Sequence, residues 1–144
     1  MHMRNLALVF SLLFLASAAA KADSITVAHG WIRAMPANVP AGGYFTIIND
    51  SGRRIVLTGA SSPACGTLML HRTENESGMA SMRDVVSVPI AVGAQFSFSP
   101  GGYHLMCMNP TDAIKPGNKV PVTLVFEDGS KITSDFVVRN ANGR

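Results

Sequence analysis

Two histidines and a crowd of methionines share one window of the chain. Beyond residue 22 there are three histidines, His29, His71 and His104, and six methionines, Met35, Met69, Met79, Met82, Met106 and Met108. Five of those methionines and two of the histidines fall between residues 69 and 108. Imidazole and thioether are both neutral donors, and thioether sulfur is soft. Such a set suits a soft monovalent ion, Cu(I), and does little for Mg, Ca or Zn, which prefer oxygen, imidazole or thiolate. Neutral donors leave a single net charge on a Cu(I) site, which favours Cu(I) over Cu(II). In an oxidising compartment a thioether has a further advantage. Paired thiolates there tend to close into a disulfide and release their metal, whereas methionine oxidises more slowly, to the sulfoxide.

Positioning these donors needs strands. In His104-Leu105-Met106, residues i and i+2 of a strand share a face, about 7 Å apart along the chain. His104 and Met106 are then neighbours on one exposed face, while Leu105 and Cys107 point to the core. The second half of the site comes from a hairpin over 66–73 and 79–88, with polar Thr73–Gly78 as its loop. Such a hairpin brings His71 and Met82 within cross-strand reach. Four donors, His71, Met82, His104 and Met106, converge at one end of the domain.

The rest of the chain reads as strands too. Val, Ile, Thr, Phe and Tyr recur in short runs broken by Gly, Pro, Asn, Asp and Ser. Strands are expected at 24–34, 42–49, 54–60, 66–73, 79–88, 94–99, 101–108, 119–127 and 130–138. Asn49-Asp50-Ser51-Gly52, Ser99-Pro100-Gly101-Gly102, Lys115-Pro116-Gly117-Asn118 and Asp128-Gly129 supply turns. No stretch of a dozen residues carries a helical period. About nine short strands make an all-β Greek-key sandwich or barrel, without repeat or linker.

The N-terminus has a different character. Met1–Arg4 is positively charged, Leu6–Ala20 is a 15-residue apolar run, and Ala20-Lys21-Ala22 is an Ala-x-Ala site. This is the layout of a secretory signal peptide, and the run is short of the roughly 20 residues of a membrane span. Residues 1–22 are read as the leader and 23–144 as one domain, exported and without stable membrane insertion. Removing Arg4 and Lys21 from 12 basic residues leaves 10 against 9 acidic ones, a net charge of about +1. Arg53-Arg54 is an isolated pair on a turn, so a nucleic-acid partner is not expected. A monomer is expected.

The spacing and its surroundings resemble a known family, the periplasmic CuA chaperones or PCuAC proteins. Their signature is a His, ten residues, a Met, twenty-one residues, then His-x-Met. His71, Met82 and His104-Leu105-Met106 reproduce it in full. Similar text surrounds it at Trp31-Ile32-Arg33-Ala34, Gly59-Ala60-Ser61-Ser62-Pro63, Pro100 to Met106 and Val120 to Phe126, so the resemblance covers roughly 28–138. It implies a cupredoxin-like fold and a Cu(I) chaperone. The acceptor it implies is the CuA centre of cytochrome c oxidase or an assembly factor, met in the periplasm. Arg72 departs from the pattern, since many members carry a Met directly after the first His. No Met/His-rich tail follows Arg139, so a second copper site is not expected.

Other readings compete at several positions. Met108 extends the alternation of His104 and Met106 and could replace Met106; Met79 could replace Met82. Met69 shares the strand face of His71, yet methionine is more often a core filler. His29 is an ordinary histidine of the first strand. Glu74 and Glu76 are solvated carboxylates. Cys65 and Cys107 lie outside the signature and are either buried thiols or a disulfide, which export would permit. A blue-copper electron carrier would need a Cys thiolate beside two His and a Met, and alternation turns Cys107 away from His104. Other functions weighed are copper buffering or storage and a metal-free interaction domain. No nucleophile–base pair or nucleotide loop points to an enzyme.

Overall fold

The computed structural model describes residues 24–144 apart from residue 77; the expected leader, 1–22, lies outside the described residues. Ten strands account for the fold: β1 (Ser24–Arg33), β2 (Ala41–Asp50), β3 (Ile55–Ser61), β4 (Cys65–Glu76), β5 (Met79–Asp84), β6 (Val88–Ile90), β7 (Gln95–Phe98), β8 (Tyr103–Pro110), β9 (Lys119–Phe126) and β10 (Lys131–Arg139). Among the described residues there is no helix. The sheet runs β5-β4-β8-β2-β1-β10-β9-β3-β6, with β7 on β2. Strand β3 also meets β4, at Ala60 and Leu68, so the path from β4 round to β3 closes on itself. β1 and β10 run parallel and the other pairs antiparallel. The all-β barrel-like expectation holds.

Alternation builds the interior. On β9, Val120, Val122, Leu124 and Phe126 are buried and the residues between them are not. Phe136 and Val138 do the same on β10. Phe45 lies at the centre of an aromatic cluster, its ring 4.5 Å from that of Phe98 and 5.8 Å from that of Phe136. Gly30 admits Phe136 to this cluster, because a Cβ there would sit 2.5 Å from the Phe136 ring. The turn after β2 is fastened by buried Asn49. Its amide nitrogen donates to the carbonyls of Arg53, Ile90 and Ala91, and its oxygen accepts from the Ser51 amide and hydroxyl.

Two expectations change in the hairpin that carries the site. Residues 79–88 are two strands, not one. β5 pairs with β4 and is exposed along its whole length, whereas Val88 and Ile90 of β6 are buried against β3. The chain leaves β4 at Val85, whose amide still donates to Leu70 O at 2.9 Å. Thr73–Glu76, expected as loop, is strand. Arg72 and Arg83 both pair with Glu74, so charged side chains lace the two strands where no core lies beneath them.

Candidate metal centre

The four donors lie on the outward face of three neighbouring strands. β4 and β8 are antiparallel, and their register sets His71 directly opposite His104 and Met69 directly opposite Met106. The two imidazole rings meet edge-on, with centroids 5.7 Å apart and planes 75° apart. Met82 comes from β5, opposite Thr73, so it stands diagonal to His71; the residue directly opposite His71 is Asp84. Met82 reaches back over the face and lines a groove of about 330 Å³ together with Thr73, His104 and Met106. Arg33 and Tyr44 contribute to the same groove from β1 and β2.

Burial differs from the sequence reading. His104 and Met106 are 4% and 8% exposed, not solvent-facing, whereas Met82 is 60% exposed. β8 lies between β4 and β2 in the sheet, and the groove side chains cover its outward face. Leu105 and Cys107 point inward as expected, both fully buried. Cys107 forms a disulfide with Cys65, which settles the alternatives left open for that pair. No thiolate is therefore available from it, and the blue-copper reading loses its essential ligand.

The imidazoles are prepared as donors of lone pairs. His104 Nδ1 is 3.1 Å from Gly102 O. A carbonyl only accepts, so Nδ1 carries the proton and Nε2 holds the lone pair. That Nε2 is buried with no hydrogen-bond partner. A backbone carbonyl on the far nitrogen is the usual means of fixing the tautomer and orientation of a ligand histidine. Gly102 O is itself held by the Thr73 amide at 3.1 Å, which ties β4 to the turn before β8. His71 is half-buried, with both ring nitrogens shielded from solvent and without a hydrogen bond. Asp84 Oδ1 lies 2.8 Å from its Nε2, so a carboxylate already neighbours that nitrogen, and Nδ1 is the ring atom with nothing beside it. Leaving such groups unpaired costs about 1–3 kcal/mol each. An ion that accepts the lone pairs removes that penalty.

Burial lowers the pKa of His104 from 6.5, the Gly102 hydrogen bond raises it in part, and the neighbouring His71 lowers it further. The neutral, ligating form is thereby favoured. Arg33 flanks the groove, its guanidinium 5.3 Å from the Trp31 ring centroid and 5.7 Å from that of Tyr44. A fixed cation beside neutral donors repels a divalent ion twice as strongly as a monovalent one. Among the described residues, no three His, Cys, Asp or Glu side chains gather in a metal-holding group. The donors that do gather are imidazole and thioether, the soft set.

Of the alternatives, Met108 lies on the same β8 face, opposite Thr67 and one step beyond Met106. Met79 is at the far end of β5, 75% exposed and opposite residue 76. His29 sits apart, exposed, at a bulge of β1 with φ 57°. Asp84 and the Arg33–Tyr44 wall were missed from sequence. Asp84 could have been found by counting the β4–β5 register; the wall depends on β2 lying beside β8, which no local signal carries.

Comparison with known proteins agrees with this architecture. A protein of Leifsonia xyli subsp. xyli whose name describes it as a lipoprotein is 30% identical over 124 residues, covering 85% of this chain and 74% of that protein. The copper-bound PCuAC domain of PmoF2 superimposes with a TM-score of 0.67 at 22% identity, over 83% of this chain and 97% of that domain. DR1885 from Deinococcus radiodurans, in its apo solution structure, gives 0.62 at 28% identity over 99% and 100% of the two chains. Its Cu(I) form gives 0.59 at 27% identity, over 87% and 83%. Residues 25–138 match the LpqE-like lipoprotein family. With that match spanning nearly every described strand, the chain belongs to the LpqE-like family, the family of PCuAC domains.

Proposed function

We propose that the protein is an exported copper(I) chaperone without catalytic activity. It binds one Cu(I) through His71, Met82, His104 and Met106 and delivers it to a copper acceptor outside the cytoplasm. The observation that carries this reading is the pair His71–His104, set directly opposite each other on β4 and β8, with His104 Nε2 buried and unpartnered beside Met106. Copper-bound and Cu(I)-bound forms of PCuAC relatives support the choice of cargo. The lipoprotein name of the Leifsonia relative supports export; the periplasm as destination follows from the resemblance to the periplasmic chaperones, and 1–22 as leader from the N-terminal sequence.

The arrangement suits delivery more than storage. His104 and Met106 are hidden and His71 is half-buried, while Met82 stands at the rim on an exposed edge strand. An acceptor can displace the rim donor first and then take the ion stepwise. Neutral donors offer no charge stabilisation, so copper should pass to a thiolate acceptor. The CuA centre of cytochrome c oxidase is the acceptor proposed, or an assembly factor that serves it. Anaerobic Cu(I) titration with X-ray absorption tests the site, with one ion in a shell of two nitrogens and two sulfurs as the expected result. A nitrogen–oxygen shell would defeat it. Mixing the loaded protein with a reduced, metal-free CuA domain tests delivery. Copper that stays put would point to buffering or storage instead.

A further inference from the structure

The β4–β8 register places a third thioether at the site, one that the His-x10-Met-x21-His-x-Met spacing does not include. Met69 is the Cα partner of Met106, just as His71 is the partner of His104. Residues two apart on a strand share a face. The outward face of β4–β8 therefore carries a square of donors, two imidazoles above two thioethers. Directly opposed residues have Cβ atoms about 4.5–5.5 Å apart. Two methionine side chains rooted at that separation are long enough to turn both sulfurs onto one ion.

Packing does not account for Met69. It is 36% exposed and stands outside the hydrophobic core, which takes Leu68 and Leu70 from the same strand. Met106 is buried and yet also outside the core cluster. Met69 lines a shallow groove beside Cys65 and Gly66, so its thioether has to turn across the β4–β8 ladder to meet that of Met106. Met82, by contrast, is rooted on β5, whose ladder partner is β4 and which buries nothing.

We infer that Met69 is a substitute thioether donor, which takes the place of Met82 on the cuprous ion when Met82 swings toward an acceptor. The inference rests on the copper reading proposed above. The step is a ligand exchange with no change of oxidation state: one Cu–S bond to Met82 breaks as one Cu–S bond to Met69 forms. The ion keeps His71, His104 and Met106 throughout. Departure of the rim donor then leaves it four-coordinate, and it is not lost to solvent before a thiolate arrives.

The test uses methionine labelled with carbon-13 at the ε-methyl group and anaerobic titration with Cu(I), in the wild-type chain and in Met82→Leu. In Met82→Leu, Cu(I) should still bind at one equivalent, about ten-fold more weakly, with the Met69 methyl resonance moving together with that of Met106. Adding Met69→Leu to Met82→Leu should cost at least a further ten-fold, without lowering the unfolding midpoint. A Met69 resonance that stays fixed while Met106 moves overturns the inference and leaves the copper reading intact. So does a Met69→Leu substitution that costs nothing in the Met82→Leu background. If no methionine resonance moves in the wild-type chain, the copper reading itself fails and this inference falls with it.

Discussion

The inward face of β8 carries Leu105 and Cys107; the outward face carries His104 and Met106. All four are nearly hidden from solvent, at 0%, 0%, 4% and 8% exposure. Inside, every group is satisfied: Leu105 packs in the core and Cys107 is closed onto Cys65. Outside, His104 hides a ring nitrogen with no partner, and so does His71 beside it, at Nδ1. Burial on the first face lowers the free energy of folding. On the second face Met106 still stabilises the fold, but burying the unpartnered His104 nitrogen costs free energy and keeps its lone pair available to an ion. A single strand thus holds the barrel together on one side and presents a donor set on the other. The alternation of a strand lets the two roles sit one residue apart.

The sharpest way to separate the faces is to break the inner one. Replacing both Cys65 and Cys107 by Ala removes a crosslink between residues 42 apart in sequence. On the chain-entropy account this should cost about 4 kcal/mol, seen as a lower urea midpoint. Cu(I) affinity of the molecules that remain folded should be unchanged. A parallel loss of affinity would show that the faces are coupled, and the comparison would fail.

The next effect lies on the outer face. Met106→Ala should cost about 2 kcal/mol, the low end for a buried methionine, since the groove gives the site room to relax. It should also weaken Cu(I) binding. Met106→Leu keeps the volume and should cost under about 1.5 kcal/mol, while Cu(I) affinity still falls. If the Leu variant binds copper normally, Met106 is packing and the sulfur is irrelevant.

pH sharpens the comparison further. The folded pKa of His104 lies below its ordinary 6.5, chiefly because of burial. Below pH 6.5 the unfolded chain therefore takes up more protons at this residue than the folded one does. The stability that neutral His104 permits is complete above pH 6.5 and is lost as pH falls toward the lowered folded value. Urea midpoints of the wild type should drop over that window, and those of His104→Gln should drop less. Cu(I) binding should weaken in the same direction, because protons compete for Nε2 of His104 and not for thioether sulfur. Identical pH profiles for the two proteins would remove His104 from the account.

Much of this was legible in the sequence. Period-2 alternation located the strands, as in Val120 to Phe126, and it sent Leu105 and Cys107 inward. It could not say that the other side of β8 would be covered too, because the cover comes from Tyr44 on β2, Arg33 on β1 and Met82 on β5. Those neighbours are set by sheet order, which is a long-range property. Polarity misled at 73–76: Thr73 to Glu76 look like a loop because charged pairing with Arg83, rather than a core, holds the hairpin there. Met69 illustrates the same limit. Its alternation with His71 was visible, but only the β4–β8 register sets it opposite Met106.

The smallest effect on stability should accompany a clear effect on function, at Met82. Its side chain is 60% exposed on a strand that buries no residue. Removing it should change folding stability by no more than about 0.5 kcal/mol. Yet Met82 is the donor that an approaching acceptor would meet first, and the β4–β5 ladder is what presents it over His104 and Met106. Met82→Ala should therefore leave the urea midpoint in place and lower Cu(I) affinity about ten-fold, measured by competition with a chelator of known strength. The ordering of the four substitutions follows from how each is held: the disulfide crosslinks the wall, Met106 is packed in it, His104 is buried but unpaired, and Met82 is exposed. Were Met82→Ala to destabilise the fold as much as Met106→Ala, the hairpin would be part of the wall, and ligand release would require the barrel itself to open. An unchanged midpoint with weakened copper binding would instead place release at the rim, where a partner can drive it without disturbing the core.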